Sequence, residues 1–409
     1  SGKYEGVFAW GSDAGREGIV LAQTAHRYTD PDKGQVFLVL ENGVRYEGAP
    51  GDSVYRVINF ERYTLRDKST AASPVRYPLH SLKTTQLWQR GGPHEQKEIA
   101  WRFSKIAVLP VLMVFFMLAA GAYTVAVLDR VIAGALGTPQ AGSVWIVPLA
   151  RGAWLMTQHA NATEAPDWRA WRLAPALYLS LAAIGLAVVP WSGSLVATDL
   201  ATSVVLWGSV EALATVVIFL HGWSANALFA LIGGYRYVAL GLSYILISMF
   251  VLIGVALPAE SLQFTQVVAS QEGLWNVIRQ PLGLPLFLIV GLGMTFWGPL
   301  NLADSTDLAG GTASEISGPP RLVWDMARAA MLVAFSGVAA TAFLGGWLGP
   351  WLPGPLWMSL KMLAVLSVLL LLGRLLPRLA PERCVTLMWV VLLPLSFIDL
   401  VWAGVGALL

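Results

Sequence analysis

The sequence predicts an α-helical polytopic membrane protein of about eight transmembrane helices over residues 101–409, preceded over residues 1–100 by an extracytoplasmic antiparallel β-domain, a small sandwich or partial jelly roll. Three observations predict it. Hydrophobic residues make up 56% of the chain and charged residues 13%, against about 25% charged in an ordinary soluble domain. The charges crowd into the first hundred residues, where short runs of β-forming residues alternate with turn signals. Beyond them, apolar runs of bilayer-crossing length follow one another with short polar breaks.

In the N-terminal region, Gln35–Leu40 (QVFLVL) and Val44–Glu47 (VRYE) flank an Asn42-Gly43 pair, which predicts a tight hairpin turn. Val36, Leu38 and Leu40 then share one face, with Val44 and Tyr46 opposite them. Gly18–Thr24 and Ser53–Leu65 read as further strands, and Ser69–Ser73 and Arg90–Gln96 as polar linkers. Ser1 is not an initiator and no signal-peptide pattern follows it, so the chain reads as processed, truncated or joined to another segment.

The expected spans are Ile106–Leu128, Leu173–Trp191, Ser203–Leu220, Ala227–Leu257, Pro281–Gly298, Met326–Gly345, Leu356–Leu372 and Cys384–Leu408. With the β-domain on side one, the loops of side two carry Arg130, Arg151, Arg169, Arg172, Arg321, Arg328, Arg374, Arg378 and Arg383. Side one carries Arg279, with Lys361 a turn inside its span. The excess of arginine puts side two in the cytoplasm and the β-domain outside, periplasmic in a cell with two membranes. Trp145, Trp168, Trp171, Trp191, Trp347 and Trp351 fall near span ends, as in an interfacial aromatic belt.

The stretch that interrupts this body is Asn301–Gly318 (NLADSTDLAGGTASEISG), which carries Asp304, Asp307 and Glu315 between two apolar spans. Lipid cannot satisfy such a backbone, so the loop needs water or a protein lining. Ionisable groups inside spans are costly unless paired or hydrated, which singles out Glu211, Arg236 and Asp399. The functional reading is a hydrated polar path, with the loop carboxylates beside Arg236 and Arg321 around a cavity of headgroup size. The plainer reading is that Glu211 pairs with a neighbouring helix, Arg236 snorkels and the loop only docks a partner. His159 and His221 fall at expected loop positions and read as solvated. The single cysteine excludes an internal disulfide and a cysteine-based metal site. No nucleotide, zinc or CxxC motif is present, and the net charge of +2 gives no sign of nucleic-acid binding.

Two resemblances add to this. Gly222–Tyr244 (GWSANALFALIGGYRYVALGLSY), Gln280–Ile289 (QPLGLPLFLI), Asp307–Gly318 (DLAGGTASEISG), Thr341–Gly349 (TAFLGGWLG), Leu352–Lys361 (LPGPLWMSLK) and Trp389–Pro394 (WVVLLP) are similar, in order and spacing, to the quinone-chamber subunit of bacterial NADH:quinone oxidoreductase, complex I subunit 1. That resemblance covers about residues 111–409. It implies a non-redox subunit of a translocase in the inner membrane, lining the quinone chamber and beginning the proton path among other subunits of a respiratory complex. Quinone is its implied substrate and membrane lipid its surroundings. Arg236, Asp307 and Glu315 keep the family's charge type, and Asp304 falls near a family carboxylate. The departures are Ile245 and Arg328 where the family has glutamates, Arg151 for an acidic residue, and Leu228 and Val390 for lysines. They put pumping in question, and Glu211 stands as a relocated carboxylate on the proton path.

The second resemblance covers about residues 5–104. Phe37–Gly48 (FLVLENGVRYEG), Tyr55–Tyr63 (YRVINFERY) and Glu98–Ser104 (EIAWRFS) are similar to the periplasmic jelly roll of the LptF/LptG lipopolysaccharide-transport permeases. The expected function is therefore a membrane subunit of a respiratory quinone-reducing complex. The alternatives are a structural anchor that has lost proton coupling, or a component of a lipid-transport permease.

Overall fold

The computed structural model describes residues 3–13, 16–29, 36–47, 56–66, 83–90, 92–103, 108–161, 163–304 and 310–408. Its contacts divide the chain into two units, Ser1–Ala100 and Trp101–Leu409.

The first unit carries β1 (Lys3–Asp13), β2 (Arg16–Thr29), β3 (Val36–Glu47) and β4 (Arg56–Arg66) as one antiparallel sheet in the order β1-β2-β3-β4. The second sheet that a sandwich needs is not among the described residues. The expected Asn42-Gly43 hairpin is overturned, because β3 runs straight through that pair. Asn42 does take a left-handed φ of 52° and Gly6 one of 66°, but both lie opposite Gln23, in one row across the sheet. A left-handed residue in mid-strand changes which face the chain presents without ending the strand. The inward residues switch parity at this row: Val20 and Ala22 on one side of it in β2 and Ala25 on the other, with Leu40 of β3 opposite Ala25. Gly43 is needed for close approach, since a Cβ there would lie 2.3 Å from the Leu21 carbonyl oxygen and 2.5 Å from the Phe60 ring. The helices α1 (Thr84–Arg90) and α2 (Pro93–Phe103) follow, so the expected linker Arg90–Gln96 is largely helical; Ser69–Ser73 lies outside the described residues.

Among the described residues of the second unit, seven helices are long and apolar enough to cross a membrane. They are α3 (Leu109–Ala135), α5 (Trp168–Ala187), α6 (Ser203–Ser224), α7 (Leu228–Ala256), α11 (Gly318–Phe343), α12 (Gly354–Leu375) and a last span in which α13 (Pro381–Leu387) and α14 (Leu393–Leu408) are joined by a π turn, Met388–Leu392. The fifth of the eight expected spans is instead α10 (Gly283–Met294), whose 12 residues reach about 18 Å of a bilayer core of about 30 Å. It is preceded by two short helices, α8 (Phe264–Ala269) and α9 (Asn276–Arg279), and ended by left-handed Phe296 and Gly298. Backbone at membrane depth without a full helix must be satisfied by protein. Buried side-chain amides do this. Gln271 accepts from the Asn276 and Gly345 amides and donates to the Val267 and Thr341 carbonyls. Asn276 donates to the Ala342 carbonyl, and Gln280 to that of Val251.

The centre of the body is α11, in which every residue from Ala330 to Phe343 is buried. Its many small residues let neighbours come close, which is how helices associate where lipid replaces water. The partners contribute glycines at the contacts: a Cβ on Gly291 would lie 2.3 Å from Phe335, and one on Gly121 2.8 Å from Val333. Of the expected aromatic belt, Trp145, Trp168 and Trp351 are exposed, whereas Trp171 and Trp191 are buried in the core. The expected loop between the first two spans contains α4 (Ile146–Thr157), a helix the sequence reading missed.

Candidate functional site

The described part of the Asn301–Gly318 stretch is folded down onto the ends of α6 and α7. The Thr312 amide donates to the Ala303 carbonyl at 2.7 Å and closes the loop. Gly233 makes the fit possible, since a Cβ there would lie 2.6 Å from the Thr312 nitrogen, 2.7 Å from Gly311 Cα and 2.8 Å from the Ala303 oxygen. The loop is thus protein-lined, with Leu302, Ala303, Asp304, Thr312, Ala313 and Ile316 all buried.

This packing fixes Asp304, which is 2% exposed, at the start of an ion-pair cluster. Its Oδ2 accepts from Arg328 Nη1 at 2.7 Å and from Arg321 Nη2 at 3.2 Å, and the Asn301 side chain accepts from its amide. Arg321 also pairs with Asp325 one turn on, at 3.2 Å, and donates to the Ala313 carbonyl. Arg328 donates to the Phe296 carbonyl at 3.0 Å and lies over the rings of Phe296 and Trp297, at 4.5 and 5.2 Å. A weakly hydrated, planar guanidinium suits that half-aromatic seat.

Arg321 and Arg328 form one side of a crevice of about 580 Å³ between α3, α4 and α11. Its walls are apolar, from Ala119, Val125, Val147, Leu155, Met326 and Ala329 among others. Its polar lining is Tyr123, Asp129, Arg130, Arg151, Arg321, Asp325 and Arg328, with Trp297 beside them. The Tyr123 hydroxyl donates to the Trp145 carbonyl and ties α4 to α3. Asp129 accepts two bonds from Arg374 of α12, at 2.6 and 2.8 Å.

Deeper in the body lies a second polar group. Glu211 is buried and accepts from Trp207 Nε1 at 2.6 Å and from the Ser248 hydroxyl at 2.9 Å; its Oε2 has no partner. One turn along α6, Thr215 lies 3.2 Å from the Tyr244 hydroxyl, which is 2.8 Å from that of Tyr237. Tyr237 donates to the Met294 carbonyl at 2.9 Å, and Tyr178 donates to the same oxygen at 3.1 Å. The Tyr178 ring stacks on Phe296, which brings this chain of hydroxyls to the aromatic seat of Arg328. His221, expected in a solvated loop, belongs to α6 instead: it is 1% exposed and stacks on Trp324 at 3.7 Å with 6° between the planes. His159 is exposed.

Of the residues singled out from the sequence, Asp304 and Arg321 are in contact. Arg236, half-buried early in α7, and Glu315, half-buried ahead of α11, have no ion pair with Asp304 and do not line the crevice. Asp307 lies outside the described residues. Asp399 is buried and accepts from Gln280. The sequence reading missed Arg328 as a partner of Asp304, the three tyrosines and α4. Signals existed: Tyr237 and Tyr244 are seven apart, on one helix face, and Ile146–Thr157 sets Arg151 in an otherwise apolar run.

The fold and this site define a multi-pass membrane protein with a charged crevice between its helices and a buried polar chain behind it. Residues 106–404 match the family model described as NADH dehydrogenase. The chain is 34% identical over 257 residues to the second of the H-type subunits of NADH-quinone oxidoreductase in Cereibacter sphaeroides, covering 62% of this chain and 81% of that one. It is 30% identical over 321 residues to the first H-type subunit of Geobacter metallireducens, 75% of this chain and 96% of that one, and 31% identical to the H-type subunit of Geobacillus kaustophilus, 61% and 77%. The chain belongs to the NADH dehydrogenase family.

Proposed function

We propose that this chain is the membrane subunit of an NADH-quinone oxidoreductase complex that receives the quinone, holds no redox centre of its own and works with the other subunits of that complex. The carrying observation is the crevice of about 580 Å³, whose size and mostly apolar walls suit a lipid-soluble carrier, with Arg321 and Arg328 as donors for quinone oxygens. The names of the relatives, each an NADH-quinone oxidoreductase component, favour the same ligand. The excess of arginine on one set of loops supports a crevice that faces the cytoplasm, by the positive-inside rule. Asp304 acts by orienting the two arginines. Arg236 of α7 and Glu315 of the loop, which do not line the crevice, are assigned to the docking of partner subunits, and Glu211 to the proton path.

The test is Ala126→Trp, which fills the crevice, in the assembled complex. Quinone reduction is expected to fall at least tenfold while electron transfer from NADH to a water-soluble acceptor persists. Unchanged quinone turnover with the subunit in place rejects the proposal.

A second reading, an anchoring subunit without proton coupling, is favoured by the Met294 carbonyl. It takes bonds from both Tyr237 and Tyr178, and a carbonyl cannot pass a proton on. The lipid-transport alternative draws only on the β-unit.

A further inference from the structure

The charges around the crevice do not balance. Its lining holds Arg130, Arg151, Arg321 and Arg328 against Asp129 and Asp325. The groups paired to that lining from outside are Arg374, on Asp129, and Asp304, under Arg321 and Arg328. Pairing them off, Asp129 with Arg374, Asp325 with Arg321 and Asp304 with Arg328 leaves Arg130 and Arg151 as surplus cations. Arg130 has one bond, from Nη2 to the Ala141 carbonyl at 2.9 Å, and its Nε is buried without a partner. Arg151 projects from α4 with its side chain exposed at the crevice. A neutral quinone leaves both charges uncompensated.

We infer that the mouth of the crevice, between Arg130 and Arg151, binds the phosphate headgroup of an anionic phospholipid, with an acyl chain against the apolar wall of α3 and α4. Guanidinium groups are forks for phosphate oxygens, and a monoanionic phosphodiester between two arginines removes half of the surplus charge. The walls that accept the chain, including Ala119, Ala122, Val147 and Leu149, carry no polar side-chain atom. Zwitterionic lipids share the phosphate but bring an ammonium toward the same arginines. The site therefore discriminates by net headgroup charge. This inference stands without the quinone reading, and its test contains no quinone.

The full chain, purified and reconstituted in nanodiscs of equal parts phosphatidylglycerol and phosphatidylcholine, is released into detergent, and the lipid it retains is measured by native mass spectrometry. Phosphatidylglycerol is expected to exceed phosphatidylcholine at least fivefold. R130Q/R151Q should remove that preference, R151Q alone should reduce it at least twofold, and Arg383→Gln, at a separate exposed arginine, should leave it intact. Since Arg151 is exposed, R151Q keeps the test valid should the double variant fail to fold. Equal retention of the two lipids, or a preference that survives R151Q and R130Q/R151Q, overturns the inference. So does loss of bound phosphatidylglycerol to millimolar inorganic phosphate, which would make this a free-phosphate site.

Discussion

Asp304 holds two arginines with one carboxylate, and that asymmetry makes the cluster testable. Asp304 is 2% exposed, Arg328 13% and Arg321 21%. Replacing Asp304 by Ala leaves Arg328 with no carboxylate partner and Arg321 with Asp325 alone, a loss of about 3–5 kcal/mol for breaking a buried pair from one side. Replacing Arg328 by Met leaves Asp304 with Arg321 still at 3.2 Å and puts an apolar side chain on Phe296 and Trp297, so the loss is smaller, about 1–2 kcal/mol. Arg321→Met is milder still, at about 1 kcal/mol, because Arg328 keeps the shorter bond. In D304A/R328M the cation left without a carboxylate is gone and Arg321 keeps Asp325, so the double variant should fall short of the summed singles by about 2 kcal/mol. The assay is equilibrium unfolding of the purified chain in mixed micelles with increasing sodium dodecyl sulfate. Additivity within about 0.5 kcal/mol, or R328M as damaging as D304A, would refute the picture of one shared carboxylate.

Two further outcomes use the same assay. Gly233→Ala drives a methyl into the Thr312 nitrogen, Gly311 Cα and Ala303 oxygen, all backbone, and should destabilise by about 1–3 kcal/mol. Gly208→Ala, with nothing within 4 Å, should be neutral or stabilising; equal effects at the two sites would show that the loop does not press on α7. Lys361→Met removes the donor to the Gly346 and Leu348 carbonyls, at 2.9 and 2.6 Å, and the cation over the Trp275 ring at 4.3 Å. The expected loss is about 1.5–3 kcal/mol, as for hydrogen bonds to a charged group, and a variant as stable as the parent would exclude a capping role for this lysine.

Membrane spans were legible because lipid imposes length and composition on any helix that crosses it, and α6, α7 and α12 lie within about one turn of where hydropathy puts them, while α3 runs on past Leu128 to Ala135. The same signal failed at Gly283–Met294, because it counts apolar residues and is blind to where φ turns positive; Phe296 and Gly298 end that helix early. Asn42-Gly43 misled for a related reason. Left-handed residues are common in tight turns, yet in this sheet they mark the row where the strands change face. Asp304 was legible as one of three carboxylates in a polar loop between apolar spans, whereas its partner Arg328 was not, since the two are 24 residues apart and meet only in the folded chain. His221 shows the limit of placing residues by span ends: one more turn of α6 than expected separates a solvated ring from one stacked on Trp324.

The row of hydroxyls from Thr215 to Tyr178 is interrupted at one carbonyl. From Thr215 through Tyr244 to Tyr237 each hydroxyl can both donate and accept, so a proton vacancy can move along them. At Met294 that stops, because both neighbouring tyrosines donate into the same oxygen and neither accepts from the other. Restoring continuity needs Tyr237 or Tyr178 to leave Met294, which gives up one hydrogen bond of about 0.5–1.5 kcal/mol net, together with a water or hydroxyl to bridge the gap. That is small beside a membrane potential worth about 2.3 kcal/mol per charge per 100 mV. On the proposed reading, the coupled and the merely anchoring subunit differ in whether this row of hydroxyls is used. Tyr237→Phe separates them: it should abolish proton translocation while leaving quinone reduction in place if the path is used, and should change neither if the subunit only anchors.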